Sequence, residues 1–438
     1  MYKLSMCTDS LRAMKLIFRV SRIFGVSPVS FVKRPMHAEE IVETELSRNV
    51  VGSLSSVIVF CAMAMGLILS VADCIINDVK DAGDLLHQIV SQPMLFLSAG
   101  VSIAMHFTVN RLKIAELLQE LSSVNKVIIQ KQRQCFVDVK QRNPRSSVMI
   151  LVTVFLSHFI FLCLYFFFES RYYHTAIRGV TLHVADLVNF VIMIQFCNFV
   201  SCIQCTLTEV IRIISVSTGG NAVGYSVKWG FKSRQPFDQC PSSSSALHID
   251  MIQETAPFHR DLNHPTPGEA LSVHHIIFCR RVYNDVYDAH ALVNSIYGIS
   301  MLFGFVANIT FSIINVYHIL MDRRTVSFLM ASSFKIIIEP FILRVFWFIT
   351  CTAIAFYVPV SCHMATLESN KLNEKIQKLL LLNSLHRSSV KQLKLFSDQI
   401  SKNCIKFTAS CFFTIDMSLF CAYVATTIAY TIVLVQFK

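Results

Sequence analysis

Charge is scarce in this chain: only 15% of its 438 residues are Asp, Glu, Lys or Arg, whereas 53% are hydrophobic. A soluble surface needs far more charge than that, so a water-soluble globular domain and a charged disordered polymer are both excluded. Glycine and proline are sparse too, at 13 and 11 residues, which removes collagen-like and linker-rich classes. No period of about 20 to 50 residues recurs, so solenoids and propellers drop out. Also missing are paired catalytic carboxylates, a nucleophile elbow and a phosphate-cradling loop in a workable setting, so no catalytic residue and no cofactor is expected and the chain does not read as an enzyme. The 15 cysteines are scattered, several inside apolar runs where they act as small hydrophobes. Cys202 and Cys205 have a metal-like spacing but lie in an apolar helix without a second pair, so no metal site is expected. What remains is an all-α, polytopic membrane protein with a mean hydropathy of +0.53.

A helix needs about 20 largely apolar residues to cross the bilayer. Seven stretches qualify: 50–76, 88–109, 147–168, 187–209, 294–317, 336–360 and 408–437. They divide the chain into a cytoplasmic N-terminal segment (1–49), spans one to four (50–209), a long cytoplasmic loop (210–293), spans five and six (294–360), cytoplasmic amphipathic helices (361–407) and a seventh span (408–438). No signal peptide is expected, because Lys15, Arg19, Arg22 and Pro28 interrupt the first apolar stretch. That stretch, 13–32, reads as an amphipathic segment on the inner membrane surface.

The net charge of +11 would suggest nucleic acid if it formed one stripe, but the basic residues fall into four clusters between apolar runs, so no nucleic-acid partner is expected. Alternate loops carry 31 Lys and Arg on one side of the spans against seven on the other, with Arg344 alone inside a span. Basic loops stay cytoplasmic. The N-terminus is therefore expected inside and the C-terminus, after seven crossings, outside with no tail. This is the reverse of a G-protein-coupled receptor, and Asn-Pro-x-x-Tyr is absent from span seven. A secondary transporter would show related halves and Gly- or Pro-broken helices, and span seven has neither residue.

The cytoplasmic segments carry helical patterning. Leu112, Glu116, Leu117, Glu120 and Leu121 continue the second span as an amphipathic helix. Residues 219–268 are rich in Ser, Pro, His and Gly and read as a flexible loop. Val273 to Val293 lead helically into span five. Leu372, Ile376, Leu379 and Leu380 form one stripe, with Glu374 and Lys378 paired at i, i+4 on the other face. Several spans are thus expected to extend into a cytoplasmic bundle.

Three motifs near the end share a pattern. Asn294-Ser-Ile-Tyr-Gly298 opens span five. Phe407-Thr-Ala-Ser-Cys-Phe-Phe-Thr-Ile-Asp416 reads as the start of the last helix. Ala429-Tyr430-Thr-Ile-Val-Leu-Val-Gln436-Phe437 closes the chain. Together they resemble the insect gustatory receptor family, whose signature is Thr-Tyr, five hydrophobic residues and Gln-Phe; Ala429 stands where that signature has Thr. Insect odorant receptors share the topology, but the Gln-Phe ending favours taste.

The resemblance implies a ligand-gated, non-selective cation channel in the plasma membrane of gustatory neurons. It further implies a homotetramer, or a heterotetramer with related receptors, in which the seventh helices line the pore. Thr426, Tyr430, Val433 and Phe437 recur at spacings of three or four on one helical face beside Gln436, so they suit a pore lining with a hydrophobic gate at its outer mouth. The same stripe would serve helix packing equally well. Ionisable and polar groups within spans are expensive and default to functional candidates. On the outer halves these are Gln92, His158, Asp186, Asn189, Asn308, Glu339 and Arg344, with Trp347 as an aromatic face for a small-molecule tastant, a sugar or a bitter compound. Glu339 and Arg344 stand about 140° apart around a helix. Arg344 is thus expected to pair elsewhere, with Asp186 as one choice, and such a pair would equally serve structure alone. Asn308-Ile-Thr310 matches a glycosylation sequon but lies within a span, so no modification is expected.

Overall fold

A computed structural model describes residues 17–24, 26, 30–33, 42–45, 50–76, 87–108, 110–135, 173–217, 273–321, 335–381 and 385–436. The chain is mostly helical, as its composition requires. A short helical stretch at 17–23 and an antiparallel pair, β1 (Ser30–Lys33) and β2 (Val42–Glu45), precede the helices. Then come α1 (Val50–Ile76), α2 (Gln92–Thr108, entered through a π-turn at His87–Ser91), α3 (Arg111–Cys135), α4 (Tyr173–Ser217), α5 (Val273–Met321), α6 (Lys335–Leu380) and α7 (Arg387–Lys402). A two-stranded hairpin, β3 (Thr408–Ala409) and β4 (Phe413–Thr414), leads into α8 (Met417–Gln436).

Among the described residues five helices are long and apolar enough to cross a membrane, and α1 adds a shorter apolar stretch, Leu54–Leu69. The expected third span at 147–168 and the loop at 219–268 lie outside the described residues. Length is informative for the middle helices. At 1.5 Å per residue, α4, α5 and α6, with 45, 49 and 46 residues, run roughly 70 Å, about twice the hydrocarbon thickness. Each therefore crosses and continues well beyond the bilayer as one unbroken helix.

The C-terminal part of α4, the N-terminal part of α5 and the C-terminal part of α6 continue together, joined by α3 and α7. The amphipathic patterning finds its partners there. Leu372, Ile376 and Leu379 are buried, while Glu374 and Lys378 pair at 2.6 Å on the solvent side. Ile114, Leu117, Leu121, Val124 and Ile128 of α3 turn the same way, and so do Leu393, Phe396 and Ile400 of α7. Polar ties close the unit: Arg280 donates to Gln392 at 2.7 Å, and the Lys375 ammonium meets the Ser215 hydroxyl.

One helix touches nearly everything else: α5 packs on α2, α3, α4, α6, α7, α8 and β3. It meets another segment's backbone most closely at Gly298. A Cβ there would stand 2.8 Å from the backbone nitrogen of Ser410 and 3.3 Å from its Cα, so only a glycine lets the hairpin lie against the helix. The hairpin is tight in its own right, with Ser410 and Cys411 both at positive φ, 49° and 63°. We expect Gly298→Ala to destabilise the protein by about 1–3 kcal/mol through this backbone clash. Gly100→Ala, whose Cβ would meet only Phe60 at 3.7 Å, should be neutral or mildly stabilising. Thermal unfolding of both variants in detergent, followed by fluorescence size-exclusion, separates the two cases.

Candidate functional site

Two places on the bundle combine polar groups with an unusual setting, and the first is the start of α8. The expected helix from 408 begins instead at Met417, because residues 404–416 are spent docking onto α5. The Asn294 side chain donates to the carbonyl of Lys406 at 3.0 Å and accepts from the backbone N–H of Thr408 at 3.2 Å. His290 Nε2 bonds the same Lys406 carbonyl at 2.7 Å. Phe407 fills the space beneath, edge-on to His290 and to Phe196, and Ala409 and Ile415 are buried. Ile415 donates its N–H back to Phe407 at 2.8 Å and closes the loop.

Asp416 then caps α8. Its carboxylate accepts from the Ser418 backbone N–H at 2.9 Å and from the Ser418 hydroxyl at 2.5 Å, which satisfies a donor of the first helical turn. Hydrogen bonding, led by the Ser418 hydroxyl and joined by Thr414, holds the carboxyl below the usual carboxylate range.

Beyond its cap, α8 contacts its own subunit through little of its surface. Tyr423, Thr427 and Thr431 are its buried residues. Tyr423 bonds Ser312 of α5 at 2.5 Å, and the two threonine hydroxyls turn back to carbonyls one turn earlier. Tyr430 and Val433 are 59% and 42% exposed, and Thr426 is partly exposed. The helix thus carries two polar stripes about 90° apart. Within its own subunit α8 packs through Tyr423, Thr427 and Thr431, and Thr426, Tyr430 and Val433 lie on the neighbouring face. Gln436 ends the helix exposed, and Phe437 lies outside the described residues.

The second place is a cleft among α2, α4, α5 and α6, where Asp186, Asn189 and Asn308 come together. Ser98 donates to Asn189 Oδ1 at 2.9 Å, and Asn308 Nδ2 donates to the Cys351 carbonyl at 3.2 Å. Each asparagine is left with one buried polar atom without a partner, Nδ2 of Asn189 and Oδ1 of Asn308. The remaining wall is apolar, with Leu95, Phe190, Met193, Phe311 and Ile354 prominent. Trp347 sits one layer behind, clustered with Phe190 and Phe311 and stacked on His183 at 5.3 Å. Gln92 is buried on α2 one turn before Leu95. Arg344 lies one turn before Trp347, and Asp186 and Arg344 are both engaged within the bundle. His158 lies outside the described residues; Glu339 falls on the first turn of α6 with its side chain outside them. No cluster of metal-ligating side chains occurs among the described residues.

Sequence reasoning missed Phe190, Phe311, Cys351 and Ser98, since an apolar or hydroxyl residue in a span looks alike whether it faces lipid or a cleft. Within the expected amphipathic stretch at 13–32, Ile17, Phe18, Ser21 and Val26 are buried against the bundle. Phe18 meets Phe199 edge-on at 6.0 Å, and Gln195 links the Ser21 hydroxyl to the Tyr297 hydroxyl. Amphipathic patterning shows that one face is apolar, not whether lipid or protein covers it.

The family model for the 7tm chemosensory receptors matches residues 14–438. The chain belongs to that family. Its fold is similar to that of the olfactory receptor OR5 from the insect Machilis hrabei, at 12% identity and a TM-score of 0.58 over 98% of this chain and 100% of OR5. The same receptor in complex with eugenol matches at 13% identity and a TM-score of 0.57, with the same coverage. No curated protein matches by sequence. Within this chemoreceptor the motif residues gain a physical reading: Asn294 and Gly298 hold the hairpin, and Asp416 starts the final helix.

Asp416→Ala should remove that start and cost about 0.5–2 kcal/mol. Because the folded carboxyl is held low, its contribution is complete at neutral pH and is lost as pH falls through the lowered value. Comparing wild type with the variant, the stability difference should therefore be constant from pH 6 to 8 and shrink in acid. Melting temperatures across pH check this.

Proposed function

We propose that this chemoreceptor is a gustatory receptor acting as a ligand-gated, non-selective cation channel, with α8 of each subunit lining a central pore in a homotetramer or a heterotetramer with related receptors. It works in the plasma membrane of gustatory neurons, where a small tastant, a sugar or a bitter compound, enters the cleft from outside. The carrying observation is the state of α8. It is 20 residues long and apolar, long enough to cross at about 30 Å, yet only Tyr423, Thr427 and Thr431 are fully buried within its own subunit. A helix with a polar stripe beside its packed face suits a position between subunits, where Thr426 and Tyr430 meet permeating ions and Val433, Gln436 and Phe437 narrow the outer mouth. A broad cytoplasmic bundle supplies the lateral area that one helix per subunit lacks.

That a receptor of the same fold forms a complex with eugenol supports a small-molecule ligand for the cleft. The likeness to an olfactory receptor also favours a second reading, an odorant-type channel subunit. It shares the pore and differs in the ligand and in the need for a partner subunit.

Excised patches from cells expressing this chain alone, perfused with sugars and bitter compounds without GTP, test the reading. Rapid cation currents are expected, and Val433→Ala and Gln436→Ala should alter conductance or raise basal opening without moving the ligand concentration for half-activation. A response that requires GTP and a G protein would overturn the channel. Currents that appear only with a co-expressed relative would favour the odorant-type subunit.

A further inference from the structure

We infer that the cleft is built for a neutral, ring-sized, mostly apolar compound carrying a single hydroxyl, and not for a sugar or a cation. This rests on the cleft being the ligand site. Asn189 is 8% exposed, and its Nδ2 has no acceptor; Asn308 Oδ1, across the same cleft, has no donor. Buried amide groups are ordinarily paired, so two left open on facing helices α4 and α5 define one donor and one acceptor. A hydroxyl satisfies both at once, accepting from Asn189 and donating to Asn308. Their other atoms are fixed by Ser98 and by the Cys351 carbonyl, so the pair is held in place before any ligand arrives.

The rest of the wall argues against the competing chemistries. A hexose carries many hydroxyls, each needing partners, while among the described residues the lining adds Asp186 to the two amides and is otherwise apolar; the surplus hydroxyls would face that apolar wall without partners. An ammonium offers donors and no acceptor, so it would leave the open Asn189 Nδ2 unpaired. The aromatic rings of Phe190 and Phe311 instead offer an apolar slot for a ring.

The space open to solvent is about 20 Å³, enough for a water and not for a ring, so the ligand must open the cleft. Met193 is suited to yield. It is unbranched and flexible, and it lies over Gly304, where a Cβ would stand 2.7 Å from its Cε.

Trp347 gives a direct readout, because the chain has two tryptophans and Trp229→Phe leaves Trp347 as the only indole, in contact with the cleft's phenylalanines. The variant in nanodiscs is titrated with benzyl alcohol, benzyl methyl ether, benzylamine and glucose while Trp347 emission is followed. Benzyl alcohol is expected to give a saturable change. The ether, which cannot donate to Asn308, should bind at least tenfold more weakly, and glucose and benzylamine should have no saturable effect. Asn189→Leu and Asn308→Leu should each weaken the alcohol tenfold or more.

The alcohol and ether comparison uses no cleft variant and so does not depend on how those variants fold. Saturation by glucose or by the amine that depends on Asn189 would keep the site and overturn the ligand class. Equal binding of alcohol and ether, or no saturable change with any probe, would overturn the class as well. Alcohol binding indifferent to both asparagine substitutions would overturn the cleft as the site itself.

Discussion

The structure depends on how thirteen residues of chain, 404–416, are held against α5. Three α5 residues at spacings of four, His290, Asn294 and Gly298, form one line along the helix. The first two bond the hairpin backbone, and the third removes the Cβ that would keep it away. This is a strong constraint because it is made through backbone atoms, which cannot rotate aside as a side chain can. It fixes where α8 begins and therefore which of its faces meets α5 and α6. With Asn294 removed, the Thr408 N–H and a share of the Lys406 carbonyl would lose their partners, and unpaired backbone groups are costly where protein excludes water.

From that clamp the rest of the architecture follows. α5 crosses the bilayer and continues into the helical unit beyond it as one helix. The clamp, the contacts with α3 and α7 and the cleft residue Asn308 thus sit on a single rod. Tyr297, beside Gly298, is fully buried and reaches inward to Gln195, with His106, Phe196 and Phe199 around its ring. Gln195 in turn holds Ser21 of the N-terminal segment. One short region of α5 therefore anchors the last helix on one side and the helical stretch at 17–23 on the other.

How much of this was legible in the sequence depends on what each residue pattern encodes. The helical spans and the solvent face of Glu374 and Lys378 follow from hydropathy and periodicity, which report environment averaged over a turn. The hairpin at 408–416 was hidden for the same reason: Phe-Thr-Ala-Ser-Cys-Phe-Phe-Thr-Ile is as apolar as a helix start, and its two left-handed residues, Ser410 and Cys411, carry none of the glycine that usually marks such a turn. Asp416 was visible as a residue, and a capping aspartate ahead of an apolar run is a start signal; weighed against hydropathy, it would have placed the helix correctly. In the cleft, Asp186, Asn189 and Asn308 stood out because polar groups in a span are expensive. Phe190, Phe311 and Met193 did not, since nothing in a sequence says which apolar residues face one another.

The placement of clamp and cleft on the same helix bears on gating under the proposed reading. Gly304 and Asn308 lie six and ten residues beyond Gly298, about 9 and 15 Å along the axis. A ring entering the cleft has to displace Met193 and part α4 from α5. A long helix packed against α2, α4, α6 and α8 does not bend freely over that distance, and α5 grips the hairpin by its backbone through His290 and Asn294. Motion of α5 relative to α4 is then carried to the Lys406 and Thr408 contacts and from there to the capped end of α8. A ligand shifts such an equilibrium only by the difference in its affinity for the two states. The two open amide atoms supply that difference if they are bridged by a hydroxyl in the parted arrangement. In the closed arrangement, no ring fits between them.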